Sequence, residues 1–485
     1  QADALAGELP LIADTPVTAA PGEVPDLPEL PVGSAPAAAG AEAPPVEPEA
    51  VARGERIRVT TDVLDVEIDL LGGDLRLVEL PTYPVRKDDP DTPVRLISDS
   101  AGENFIVQTG LRAVQGAEPN HTVTFSSEAS EYRLAEGEDA LVVALSWSGA
   151  DGVSARKVYR FERGSFRIGL DIELTNGGSE AWRGAPYLQL KRDHVTYKRK
   201  YTDVETFSFK GPVFYDGEKY EKISYKDLSK KPLQAQLTGG WMAIIQHHFL
   251  AAAVPPADNP VTYSYRAQTA PDRFLLQAIS PVVEVPAASA KVFAQDLFVG
   301  PKVQAQLKQV APGLELTVDY GWMTIIAQPI FWVLSKIHSV VGNWGWSIIL
   351  LTILIKLIFY KLSETSGRSM AKMRKLAPRM KQLQERYKDD RQKLSQATME
   401  LYKREKVNPA AGCLPMLVQM PVFLALYWVL IESVELRQAP WWGWINDLSS
   451  RDPLFILPVL MGAAMFAQFR LNPAPPDPTQ AKVMM

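Results

Sequence analysis

The chain has 485 residues, a formal net charge of −5, 46% hydrophobic and 22% charged residues, and a single cysteine, Cys413. That length leaves room for two or three domains, and because acidic and basic residues are segregated along the chain, the net charge names no partner. One cysteine excludes disulfides within the chain and leaves the redox compartment open.

Residues 1–53 are rich in Pro, Ala and Glu and contain no Lys or Arg before Arg53. Such a segment buries too little apolar surface to offset its ordering entropy, which predicts a disordered tether. The chain opens on Gln1 without an apolar leader and closes on "PTQAKVMM" as the sequence turns apolar again. Both ends lead us to expect further segments, upstream and downstream.

Over residues 54–317 the dominant period is two. "RIRVTTDVLDVEIDLLGGDLRLVEL" alternates around Gly72-Gly73, and "KVYRFERGSFRIGLDIELTNGG" places two alternating runs on either side of Arg163-Gly164. Alternation punctuated by turn residues predicts an antiparallel β-sandwich with its own core. Its histidines, His121, His194, His247 and His248, together with His338 further on, leave open a catalytic or metal-binding reading. In "QHHF", however, neighbours on one strand would point to opposite faces.

Residues 318–342 carry apolar residues at helical spacing interrupted by Gln328, Pro329, Ser335, Lys336 and Ser339. We expect an amphipathic helix lying in a membrane interface, with a membrane-crossing helix as the alternative. Three long apolar runs follow, at 343–362, 412–432 and 453–472, each suited to a transmembrane helix. The first contains Lys356, with Thr352 and Tyr360 four residues to either side and Ser363 beyond; the second contains Gln419 between Pro415 and Pro421. Lys356 either snorkels toward the headgroups or joins Gln419 in a shared hydrated groove. A transporter or channel would also use polar residues there, but we find neither a continuous polar path nor an internal repeat.

Between Lys361 and Asn408 there are 14 Lys or Arg against 6 Asp or Glu, whereas the loop 433–452 holds only Arg437 and Arg451 as basic residues. The positive-inside rule places the first segment in the cytoplasm, and the second loop and the β-domain outside, which in a bacterium is the periplasm. The cytoplasmic segment, 363–411, reads as two helical arms separated by Lys388-Asp389-Asp390 and packed along a methionine-rich seam, the first arm weakened at Pro378. Met373, Met380, Lys381 and Arg386 are its candidate contact residues, suited to anionic lipid, ribosomal RNA or a hydrophobic nascent chain. Trp344, Trp441, Trp442 and Trp444 suit membrane-interface anchors.

The stretches "NWGWSIILLTILIK", "SMAKMRKLAPRMKQLQERYKDDRQKLSQATMELYKREKVNPAAGCLPMLVQMPVFLALYWVLIESVELRQAP" and "DPLFILPVLMGAAMF" resemble the YidC membrane protein insertases of Gram-negative bacteria, of the YidC/Oxa family. The resemblance runs from about Arg56 to the end. It implies a multidomain inner-membrane protein: a periplasmic antiparallel β-supersandwich akin to galactose mutarotase, then an α-helical transmembrane bundle with a cytoplasmic helical hairpin. Three core helices would fall within this chain, with the anchor helix and the last two core helices outside it, residues 473–485 beginning the next loop.

The implied activity is non-enzymatic insertion and chaperoning of inner-membrane proteins through a groove open to cytoplasm and lipid, alone or beside the Sec translocon. Lys356 stands where the family carries an arginine, which keeps the charge and loses the planar fork for a carboxylate. Thr352, Tyr360 and Gln419 would line the groove, and Cys413, Met420 and Phe423 would touch the departing segment. Implied partners are nascent membrane proteins, the Sec translocon and its accessory subunits, the ribosome and membrane lipids, with no DNA, cofactor or metal. The sequence shows no GxxxxGK[ST] phosphate loop.

Overall fold

Alternating side chains along the first half build two sheets that share one core. A computed structural model describes residues 54–471 of the chain apart from 101, 150, 196–207, 270–271, 388–389, 406 and 408–409. The expectations for residues 1–53 and 473–485, the hairpin tip at Lys388-Asp389 and the side chain of Cys413 lie outside what is described.

Among the described residues the sandwich has an 11-stranded and a 9-stranded sheet. Pairing is antiparallel except where Arg56–Thr60 runs parallel to Glu131–Arg133. Period two is visible in the burial: Ile168, Leu170, Ile172 and Leu174, alternate residues of the strand Arg167–Asn176, are fully buried against the facing sheet's Val59, Val66, Ile68 and Leu75. Each such side chain contributes about 1.5–3 kcal/mol of burial. The Gly72-Gly73 turn forms as expected, with φ of 85° and 63°, a left-handed pair that closes the ladder at Asp69 and Asp74.

The "QHHF" expectation needs correction. His247 and His248 are not strand neighbours on opposite faces; they form the turn between Trp241–Gln246 and Phe249–Val254, and His247 has φ of 53°. Histidine is among the few non-glycine residues that enter this region readily, so the reversal needs no Gly or Pro.

Two short helices, α1 (Tyr225–Lys230) and α2 (Gln304–Val310), belong to the β-domain. Six longer ones follow: α3 (Thr324–Val341), α4 (Trp344–Ile358), α5 (Tyr360–Arg386), α6 (Arg391–Arg404), α7 (Ala410–Glu432) and α8 (Ile456–Leu471). Only two residues join α3 to α4. Gly342 takes the left-handed C-cap with φ of 69°, and the side chain of Asn343 caps α4 by accepting from the Trp346 N–H at 3.1 Å. Ala327, Phe331 and Leu334 of α3 are buried within the same core as Ala425, Leu426 and Val429 of α7, while Trp322, Ile325, Trp332 and Val340 are exposed.

Among the described residues, Gly321–Val341 and Leu414–Glu432 are long and apolar enough to cross a membrane, and Ile456–Gln468 is a shorter apolar helix. The helix expected over 343–362 is a bent pair: α4 ends at Ile358 and α5 leaves at 65°. At the break Phe359 has φ −90° and ψ 9°, and its N–H is shared between the carbonyls of Ile355 and Leu357. The first hairpin arm runs through Pro378 without ending, and Leu376, Leu401 and Val407 form the seam between the arms, with Met373, Met380, Leu383 and Tyr402 packed around them. Arg379 also bridges to Glu405 at 2.7 Å.

Candidate functional site

Lys356 lies in the last turn of α4, where a cation favours the negative end of the helix dipole. Its side chain is exposed, and its Nζ stands 5.4 Å from the centroid of the Phe423 ring on α7. One helical turn before Phe423, Gln419 is buried and donates from Nε2 to the Ser363 Oγ of α5 at 3.5 Å. The bend at Phe359 therefore lets α4 and α5 meet the same face of α7, one with a cation and the other with a hydroxyl. This polar track is bordered by an apolar stripe: Met416, Met420 and Phe423, spaced four and three apart on α7, are all about half exposed or more.

Thr352 and Tyr360 are the other expected groove residues. The Thr352 hydroxyl donates to the Ile349 carbonyl at 2.7 Å, within its own helix. Tyr360 is exposed, but it opens α5, so the bend breaks the period that would align it with Thr352 and Lys356. Lys381 and Arg386 are exposed on α5, and Met373 and Met380 are partly buried in the seam of the hairpin.

The tryptophans divide. Trp442 is 65% exposed, as suits an interface anchor. Trp441 lies against Gly345, where an added Cβ would come within 2.2 Å of the indole, and meets Trp346 edge-on. Asn343 reinforces this contact by donating to the carbonyls of Pro440 at 3.3 Å and Trp441 at 3.1 Å. Trp344 stacks on His338 at 3.8 Å, and Trp444 donates to Asp452 at 3.0 Å. The loop after α7 thus clamps the outer end of α4.

The histidines are used in pairings rather than gathered. His121 Nδ1 meets the Tyr187 hydroxyl at 2.6 Å, and His194 stacks on Tyr225 at 4.3 Å. Among the described residues no group of three or more His, Cys, Asp or Glu is placed to hold a metal.

The junction between the β-domain and α7 is a finding of the structure alone. Lys302 at the end of the last strand and Glu432 at the end of α7 are both buried and pair at 3.1 Å. A carboxylate at the C-terminus of an apolar helix opposes the dipole, which was the available signal that a distant cation must answer it.

Two family models cover the chain: that of the YidC periplasmic domain matches residues 56–333, and that of the 60 kDa inner membrane protein matches residues 336–485. A relative from Thioalkalivibrio sulfidiphilus, described as membrane protein insertase YidC, is 50% identical over 92% of this chain and 80% of its own length. Relatives of the same description are 50% identical in Methylococcus capsulatus, over 88% of this chain and 78% of theirs, and 48% identical in Pseudomonas putida, over 92% and 80%. Among solved structures, an active YidC insertase with its first transmembrane domain resolved is 18% identical, with a TM-score of 0.35, over 87% of this chain and 84% of that one. A galactose mutarotase related enzyme from Lactobacillus acidophilus is 8% identical, with a TM-score of 0.33, over 50% of this chain and 97% of that one. With family models spanning nearly all described residues and relatives about half identical, the chain belongs to the YidC family of membrane protein insertases.

Proposed function

We propose that this protein inserts and helps fold inner-membrane proteins by holding the polar end of an incoming segment beside Lys356 while its apolar helix leaves along α7. One observation carries the reading: an exposed ammonium, the one charge of α4, stands over Phe423, at the edge of the stripe formed with Met420 and Met416. A charge there attracts an acidic tail, and the adjoining thioethers and ring accept apolar side chains of varied shape. Cys413, in the first turn of α7, belongs to the same departure path.

In this reading α3 lies in the outer interface, the β-domain is periplasmic, and α5 and α6 project into the cytoplasm. Driving force comes from lipid burial of about twenty apolar residues, aided by the membrane potential at about 2.3 kcal/mol per charge per 100 mV. The basic α5–α6 hairpin meets the ribosome and anionic lipid, and the Sec translocon with its accessory subunits is the membrane partner. No covalent step or cofactor enters.

The test is reconstitution of the full-length protein into liposomes with a labelled single-span substrate, with ion flux followed in parallel. Protease-protected substrate without ion flux is expected. Ion flux without insertion would assign the polar residues to a channel instead.

A further inference from the structure

The last turn of α7 leaves carbonyls without intrahelical partners. Ser433 Oγ donates to the Val429 carbonyl, but the Ile431 carbonyl is met from the β-domain: His247 Nε2 lies 3.3 Å from it and His248 Nε2 2.8 Å. The two imidazoles stack at 3.7 Å with only 24° between their planes, so both edges face one oxygen, whose two lone pairs accept both. Burial, with the neighbouring Lys302 adding to it, holds both rings neutral, His247 down to about 2 and His248 to about 4. The acceptor therefore selects the tautomer with its proton on Nε2.

The next residue is held as well. Glu432 accepts from Lys302 Nζ at 3.1 Å, and that ammonium also donates to the Thr317 carbonyl at 3.1 Å. The backbone N–H of Lys302 in turn donates to the His248 carbonyl at 2.8 Å, so cation and imidazoles form one unit. Lys302, Glu432, His247 and His248 are each more than 90% buried. Beyond α7 the chain stays pinned: Arg437 and Gln438 each donate to the Pro84 carbonyl at 2.7 Å, and Lys87 donates to the Gln438 carbonyl at 2.8 Å.

We propose that His247, His248 and Lys302 are positioning residues for insertion: they cap α7 from the β-domain and fix where Met420 and Phe423 stand relative to Lys356. Phe423 is nine residues from Glu432, about 13 Å along a stretch of α7 that holds no proline, so a shift or tilt at the cap is carried to the Phe423 end of the stripe. A small displacement of a contact surface is enough to change a rate.

This inference rests on the insertase reading, and its test separates the two. For the distance measurement alone, full-length protein with Cys413→Ala carries spin labels at Glu136→Cys, on the β-domain, and at Met416→Cys, on α7. The distance distribution between the labels is measured in liposomes, and insertion of a substrate with an acidic tail is measured separately on protein that keeps Cys413, Glu136 and Met416. The expected result is a narrow distribution for the parent. Lys302→Met and the double variant His247→Ala, His248→Ala should broaden or shift it and slow insertion about tenfold, because each leaves a buried acceptor unanswered. His247→Gln with His248→Gln keeps the donors, and Lys302→Met with Glu432→Leu removes both charges, so each pair should recover most of the parent's distribution and rate. Unchanged distributions in Lys302→Met and the double alanine variant would overturn the cap, and changed distributions with unchanged insertion would overturn its role in positioning. An inactive parent with a narrow distribution would instead contradict the insertase reading.

Discussion

The ammonium of Lys356 stands 5.4 Å from the centroid of the Phe423 ring, which joins the one charge of α4 to the apolar stripe of α7. The ring face stabilises the cation without neutralising it, so the charge stays available to an acidic tail.

Replacing Phe423 by Leu keeps an apolar side chain and removes the ring face. A cation–π contact of about 0.5–1 kcal/mol at an exposed site corresponds to a change of about two- to fivefold. Insertion of acidic-tailed substrates should fall within that range, and Phe423→Trp should retain the parent rate. Pulse-labelled insertion assays distinguish the two; equal rates for Leu and Trp would show that the ring contributes surface alone.

Gly345 is the point where α4 and the loop after α7 touch. A Cβ there would lie 2.2 Å from the Trp441 ring, a distance the packing cannot hold. Gly345→Ala should destabilise the helical region by about 1–3 kcal/mol through overpacking, seen as a lower melting temperature in detergent. Combination with Trp441→Ala should cost less than the sum of the two changes.

Glu435 gives the junction a pH dependence. Burial is the largest cause that lifts its carboxyl from 4.5 to about 7, with Lys302 opposing, and Tyr83 and Tyr320 face the same carboxyl. The folded state therefore binds this proton more tightly than the unfolded state does. Its contribution to stability falls as pH rises from about 4.5 to about 7, and the cost is complete above that range. Thermal melts should show Glu435→Gln gaining on the parent at pH 8 and matching it near pH 4. A gain that does not vary with pH would contradict this assignment.

In the hairpin, Leu401 is buried between the arms with Leu376 and Val407. Leu401→Ala should cost about 2–5 kcal/mol of local stability, read as faster amide exchange in α5 and α6. Exchange in the β-domain should not change.

The sandwich was legible because its signals are local: alternation in "RIGLDIELTN" and a glycine pair at the turn each specify a strand or a reversal from a few residues. The apolar helices and the basic block between them were legible for the same reason, as were Lys356 and Gln419, polar residues that stand out against their runs. The 65° bend was not, since neither proline nor glycine lies at Phe359, and with it went the alignment of Tyr360. The histidine turn escaped because neither residue is a customary turn former. Lys302 and Glu432 meet across 130 residues, a separation over which periodicity says nothing. The three tryptophans of "WWGW" read alike in sequence, yet they separate into an exposed ring, a helix clamp and a hydrogen-bond donor, because each has different surroundings.

The role of the charge at position 356 is measured most directly by insertion with Lys356→Arg, Lys356→Ala and Lys356→Glu in the full-length protein, using substrates with neutral and acidic tails. Arginine should match lysine. Alanine should slow acidic-tailed substrates while sparing neutral ones, and glutamate should slow the acidic class further by repulsion. Equal insertion of every substrate by all three variants would contradict an electrostatic role for Lys356 and leave only the apolar stripe of α7.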